Sequence, residues 1–169
     1  MSDIVKPIKL HEGHIQVAVA MLLNPRVYTI VPNVFWSGHE CDLLALGANG
    51  KLTEIEIKIS AADLKNDFKK GHNHFSKTIS RLVYAMPLHL CDKYRELIPS
   101  DCGIISITTY VYSDRKYVNA NWYRQAKHRK DKQPPSDKEK LELTRLGCMR
   151  IWSLKFHNNK SITPNKTNE

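Results

Sequence analysis

The sequence predicts an α/β protein: a mixed central sheet flanked by helices, followed by a basic, mostly helical C-terminal extension. Three observations carry this. Apolar residues alternate between helical and strand spacing along residues 10–108, in the order α, β, β, β, α, β, α, β. The strand–helix–strand unit over residues 82–108 has the length of a right-handed parallel crossover. Charge is unevenly divided: residues 1–114 carry 12 basic and 12 acidic side chains, whereas residues 115–169 carry 14 and 5 and so supply the whole net charge of +9.

Each element has a local reason. Leu10, Val17, Ala18, Met21 and Leu22 recur at helical spacing until Asn24-Pro25, which predicts a helix over 10–23. Residues 27–36 are β-branched and aromatic, a strand in which Pro32 requires an edge or a bulge. Strands over 40–46 and 52–59 flank Gly47-Ala48-Asn49-Gly50, which carries an Asn-Gly turn signal. Ser60 caps a helix over 61–70, with Asp63 at the third helical position and Ala61, Leu64 and Phe68 forming its apolar stripe. A buried strand over 82–86, a helix over 88–98 stopped by Pro99, and a strand over 103–108 follow. Residues 110–118 read as a hairpin and 122–130 as a short basic helix. Ser136 and Glu139 form a capping box that opens a helix from 137 to about 152. The expected division is a core over 1–118, a basic extension over 119–156 packed on or beside it, and a disordered tail over 157–169.

Composition removes several classes. With 41% hydrophobic and 25% charged residues the chain is globular. Its longest apolar run, 17–23, is too short to span a membrane, and residues 1–7 lack an apolar leader core, so a cytoplasmic location is expected. Cys41, Cys91, Cys102 and Cys148 show no paired or zinc-knuckle spacing and read as ordinary thiols.

The chemistry gathers on two neighbouring strands. In Glu54-Ile55-Glu56-Ile57-Lys58-Ile59 the isoleucines share one face and the charged residues the other. Glu40 and Asp42 share a face on the preceding strand. If Ala48-Asn49-Gly50 forms a three-residue loop with Gly50 left-handed, Gly47 pairs with Lys51, Leu44 with Glu54, Asp42 with Glu56 and Glu40 with Lys58. A two-residue Asn49-Gly50 turn sets Asp42 opposite Ile57 instead. Only the first register makes a coherent acidic cluster. Such carboxylates suit a hard divalent cation, Mg²⁺ or Mn²⁺, and a neighbouring lysine can orient its water.

Asp42, then Glu56-Ile57-Lys58 fourteen residues on, resembles the PD-(D/E)XK nuclease superfamily, although Cys41 stands where the proline of that name would be. The likeness covers roughly residues 10–108, whose α, β, β, β, α, β order matches that superfamily's restriction-endonuclease-like core. Lys58-Ile59-Ser60 running into Asp63, Asp67 and Lys70, followed by Tyr84-Ala85-Met86-Pro87, looks like the MmcB-like DNA-repair branch. The resemblance implies a Mg²⁺- or Mn²⁺-dependent deoxyribonuclease of DNA repair, or of phage or mobile-element DNA processing. Asp42 and Glu56 would hold the metal with the Ile57 backbone carbonyl, and Lys58 would position the attacking water. Many members place a glutamate on the first helix near the metal. Glu12 is that residue here, with Gln16 one turn away, and Glu40 a further support. An ordinary acid at a helix N-terminus is the alternative for Glu12.

DNA is the expected partner, with room for a homo-oligomer or a repair-complex subunit. Lys65, Lys69 and Lys70 follow the motif and would grip a phosphate backbone, unless they form only a solvated face. Trp122, Tyr123, Arg124, Lys127, Arg129 and Lys130 are the denser patch, where cations meet phosphates and aromatics stack on bases. The rival class is a nucleic-acid-binding protein of nuclease-like fold that does not cut. His11-Glu12-Gly13-His14 has its histidines three apart, not the four that a zincin needs, and His72-Asn73-His74 lacks the separation of a true HNH site. No phosphate-cradling glycine loop occurs, so no nucleotide cofactor is expected.

Overall fold

A computed structural model describes residues 9–69, 76–112 and 115–158. Six strands form one mixed sheet in chain order: β1 (Tyr28–Trp36), β2 (His39–Gly47), β3 (Leu52–Ile57), β4 (Ile79–Pro87), β5 (Gly103–Tyr112) and β6 (Arg115–Arg124). The β3–β4 and β4–β5 pairs are parallel and the other three antiparallel. Pro32 therefore lies on edge strand β1, the kind of strand on which a sheet tolerates proline.

Among the described residues four helices cover the sheet: α1 (Glu12–Leu23), α2 (Ala61–Lys69), α3 (Leu88–Tyr94) and α4 (Asp137–Asn158). Ile15 and Val19 of α1 pack on Leu43, Ala45, Ile55, Val83 and Ile105 on one face. On the other, Leu64 of α2 and Leu90 of α3 meet Leu82 and Met86, while Leu143 of α4 meets Val31, Leu44 and Leu52. Among the described residues no helix is long and apolar enough to cross a membrane.

The local signals act as expected where they are local. Ser60 Oγ accepts from the Asp63 N–H (3.2 Å), and Ser136 and Glu139 make the reciprocal capping box, with the Ser136 N–H 2.7 Å from Glu139 Oε2 and the Glu139 N–H 3.3 Å from Ser136 Oγ. The β2–β3 loop takes the three-residue form. The Gly47 N–H donates to the Lys51 carbonyl (3.0 Å), Gly50 is left-handed (φ +72°), and Leu44 pairs with Glu54.

Three expectations need correction. Residues 122–130 are not a helix: Trp122 to Arg124 finish β6, which pairs with β5 and carries the sheet through residue 118, and 125–130 run on without helical structure. The helix over 88–98 is shorter, since α3 ends at Tyr94 and one 3₁₀ turn, Arg95–Leu97, completes it. His157 and Asn158, assigned to a tail, belong to α4; residues 159–169, Lys70 and the His72/His74 pair lie outside the described residues.

One distortion shapes everything near the motif. Val31 and Val34, three apart, both face α4, as do their partners Leu44 and Cys41. Regular alternation forbids this. The two strands change face together, at Asn33 (φ +47°) on β1 and at Asp42 on β2.

Candidate active site

An open cleft of about 600 Å³ lies where β2 and β3 part, at the C-terminal end of β3. Asp42, Glu56, Lys58, Glu12, Glu40 and Ile57 all line it. The backbone ladder between β2 and β3 stops at Leu43–Ile55. Beyond it the Asp42 carboxylate takes over, with Oδ2 accepting from the Ile57 N–H at 2.7 Å. The expected partnerships of Asp42 with Glu56 and of Glu40 with Lys58 are thus not made as backbone pairs. Glu40 is exposed and pairs with Phe35 of β1.

Lys58 is buried between two carboxylates, with Nζ 2.9 Å from Glu56 Oε2 and 2.9 Å from Asp67 Oδ1 of α2. Burial works against its charge, but the two carboxylates outweigh burial and raise its pKa, so it is an ammonium. Glu56 is pushed up to about 7, first by burial and then by Asp42, against the pull of Lys58. Asp42 is raised by burial too, with the Ile57 N–H and Lys58 opposing and Glu12 adding repulsion. Two of the three motif groups are therefore carboxylates held in a setting that disfavours a second negative charge.

The strand distortion brings α1 into the site. Glu12 Oε1 accepts from Gln16 Nε2 (2.8 Å) and from Asn33 Nδ2 (3.0 Å). Gln16 Nε2 also donates to Asn33 Oδ1 (2.8 Å) and lies 3.3 Å from the Asp42 carbonyl. Glu12 is thereby fixed at the cleft wall by β1, and Gln16 acts by holding it there.

Asn33, His39, Asp63 and Asp67 also line the cleft and are absent from the predicted site residues. Asp63 and Asp67 had a readable signal, since residues four apart at the start of a helix share its face. Asn33 had a weaker one, because asparagine tolerates the left-handed region. Beside the cleft, His39 Nε2–H donates to the fully buried Glu54 Oε1 at 2.5 Å, a bond that raises the His39 pKa. Cys41 Sγ lies 3.6 Å from the same nitrogen. Burial first, and then Glu54, pushes the Cys41 thiol far above its ordinary value in the metal-free protein.

The expected nucleic-acid residues are scattered. Lys65 is exposed on α2 with Nζ 5.5 Å from the Tyr94 ring centre; Lys69 ends α2. None of the six residues from Trp122 to Lys130 lines the cleft. Trp122 packs on the core beneath α1, and Tyr123 donates to Asp92 (3.1 Å) while accepting from Arg95 (3.0 Å). The Arg124 guanidinium holds the carbonyls of Ile98, Pro99 and Cys102 at 2.8–3.1 Å, and Arg129 Nε is 3.2 Å from Asp101. Lys127 and Lys130 are exposed.

A family model described as DNA repair protein MmcB-like matches residues 9–155. Among solved structures the chain is similar to the SPO1766 protein of unknown function from Silicibacter pomeroyi, at 20% identity and a TM-score of 0.65, over 94% of this chain and 99% of that one. That likeness concerns the fold alone. Among curated proteins none matches.

Proposed function

The chain belongs to the MmcB-like DNA repair protein family, and from that premise we propose that it is a Mg²⁺- or Mn²⁺-dependent deoxyribonuclease of the PD-(D/E)XK type. The observation that carries the reading is the meeting of Asp42, Glu56 and Lys58, with Glu12 of α1, at one open cleft.

The donor set fits a hard cation. Three carboxylates, Glu12, Asp42 and Glu56, line the cleft, and burial has raised the latter two. They would hold the ion together with the Ile57 carbonyl, as oxygen ligands suited to Mg²⁺ or Mn²⁺. When bound, such an ion makes a coordinated water more acidic and offsets charge on a phosphate. The residues supply the rest. Asp42 stays oriented by the Ile57 N–H, Glu12 by Asn33 and Gln16. Lys58, its charge secured by Asp67, would offer its remaining N–H to the water that attacks phosphorus and to the charge then building on the phosphate. DNA would reach the cleft through contacts that include Lys65 and the exposed Lys127 and Lys130.

One observation favours a second reading, a DNA-binding protein of this fold that does not cut. Two of the three Lys58 donors are already engaged by carboxylates. Purified protein with single-stranded, duplex and branched DNA, in Mg²⁺, Mn²⁺ or chelator, separates the two. Asp42→Ala and Lys58→Ala are each expected to lower cleavage by at least about 100-fold while DNA binding persists. Metal-dependent cleavage retained in both variants overturns the mechanism, and binding without turnover in the wild type selects the second reading.

A further inference from the structure

We propose that His39, Cys41 and Glu54 form a zinc site, separate from the Asp42–Glu56 carboxylates. One ligand atom from each lies within 4.8 Å of the others. The change of face at Asn33 and Asp42 is what assembles them, because it turns Cys41 to the side of the sheet where Glu54 lies. In an undistorted strand Cys41 would face α1 instead.

The atoms choose the ion. A thiol, an imidazole and a carboxylate are a mixed soft and borderline set, which suits Zn²⁺ and is poor for Mg²⁺. Zinc–sulfur and zinc–nitrogen bonds of about 2.3 and 2.0–2.1 Å put the two ligand atoms roughly 3.6 Å apart in a tetrahedron. Cys41 Sγ and His39 Nε2 are 3.6 Å apart. The Glu54 oxygen, now 2.5 Å from His39 Nε2, has to move back by about 1 Å for the ion to replace the proton between them.

The position also fits. Cys41 and Glu54 are wholly buried, whereas His39 lines the open cleft and gives an ion a way in. The site joins β2 to β3 at the end of their backbone ladder, with Glu54 inside it and His39 and Cys41 beyond it, so the ion would tie together the strands that carry Asp42 and Glu56. Its existence does not rest on the nuclease reading.

The test uses the full chain carrying Cys148→Ser, since Cys148 is exposed and would take up metal by itself. The chelator-stripped protein is titrated with Co²⁺ and competed with Zn²⁺. One equivalent of Co²⁺ with strong thiolate-to-cobalt charge-transfer absorption, displaced by Zn²⁺, is expected. Cys41→Ala should abolish that band, and His39→Ala should weaken Zn²⁺ binding by more than the roughly 10–100-fold that loss of an outer-shell partner costs. Asp42→Asn should leave the band unchanged while lowering cleavage, so failure here and failure of the nuclease reading are distinguishable. Absence of the band from the folded Cys148→Ser protein overturns the site, as does its persistence in folded Cys41→Ala. If Cys41→Ala does not fold, undiminished Zn²⁺ affinity in His39→Ala, whose side chain is partly exposed, overturns it equally.

Discussion

Glu54 and Glu56 stand two residues apart on one strand, yet their surroundings give them different work. Glu54 is closed off and held by His39, while Glu56 shares the cleft with Asp42 and Lys58. The raised pKa of Glu56, about 7 against an ordinary 4.5, has a consequence for stability. Between those values the native state keeps a proton that the unfolded chain has released, so stability falls as pH rises across that window. Thermal unfolding in chelator should show the wild type losing stability from pH 5 to pH 7 more steeply than Glu56→Gln; parallel pH profiles would refute the assignment. Strand alternation made Glu54, Glu56 and Lys58 legible as one charged face. The separation of Glu54 from that group was not legible, because it depends on the distortion at Asn33 and Asp42 that brings His39 and Cys41 across.

At the level of elements, α4 divides into an anchored half and a projecting half. Leu143 is fully buried against Val31, Leu44 and Leu52, and Arg150 reaches the Asn33 carbonyl, whereas the side chains from Ile151 to His157 are exposed. Leu143→Ala should cost about 2–5 kcal/mol in denaturant unfolding, and Trp152→Ala less than about 0.5 kcal/mol. Equal effects would mean that the projecting half packs as the anchored half does. The start of this helix was readable because a capping box is a contact between residues three apart. The β2–β3 register was only half readable: Asn49-Gly50 marked the turn but left two registers open, and the left-handed Gly50 of the structure selects the three-residue loop. The nature of residues 122–130 was not readable, because β6 is held by pairing with β5 rather than by any signal within itself. Its aromatic and basic side chains fit either a helix face or a strand on the sheet edge.

The charge of the whole molecule, +9, comes from residues after 114, but the structure uses those cations in two ways. Arg124 is a clamp, satisfying three carbonyls of the 95–102 connection and fastening β6 to it. On α4, Lys140 and Arg145 pair with Asp137 and Glu142 three residues earlier. Lys127 and Lys130 are exposed and make no such bond among the described residues, so they are among the cations left to meet a polyanion, with Arg115, Lys116 and Lys138. This separates two kinds of basic residue by experiment. Replacing Lys127 and Lys130 by Gln should leave unfolding unchanged and flatten the dependence of log affinity for duplex DNA on log salt, by about 0.9 for each phosphate that is no longer neutralised. Arg124→Ala should do the reverse, costing on the order of 2 kcal/mol of stability as its charged hydrogen bonds disappear, while the salt slope of the folded protein persists. A flattened slope in Arg124→Ala at full stability would overturn that division and move the DNA-binding surface onto β6.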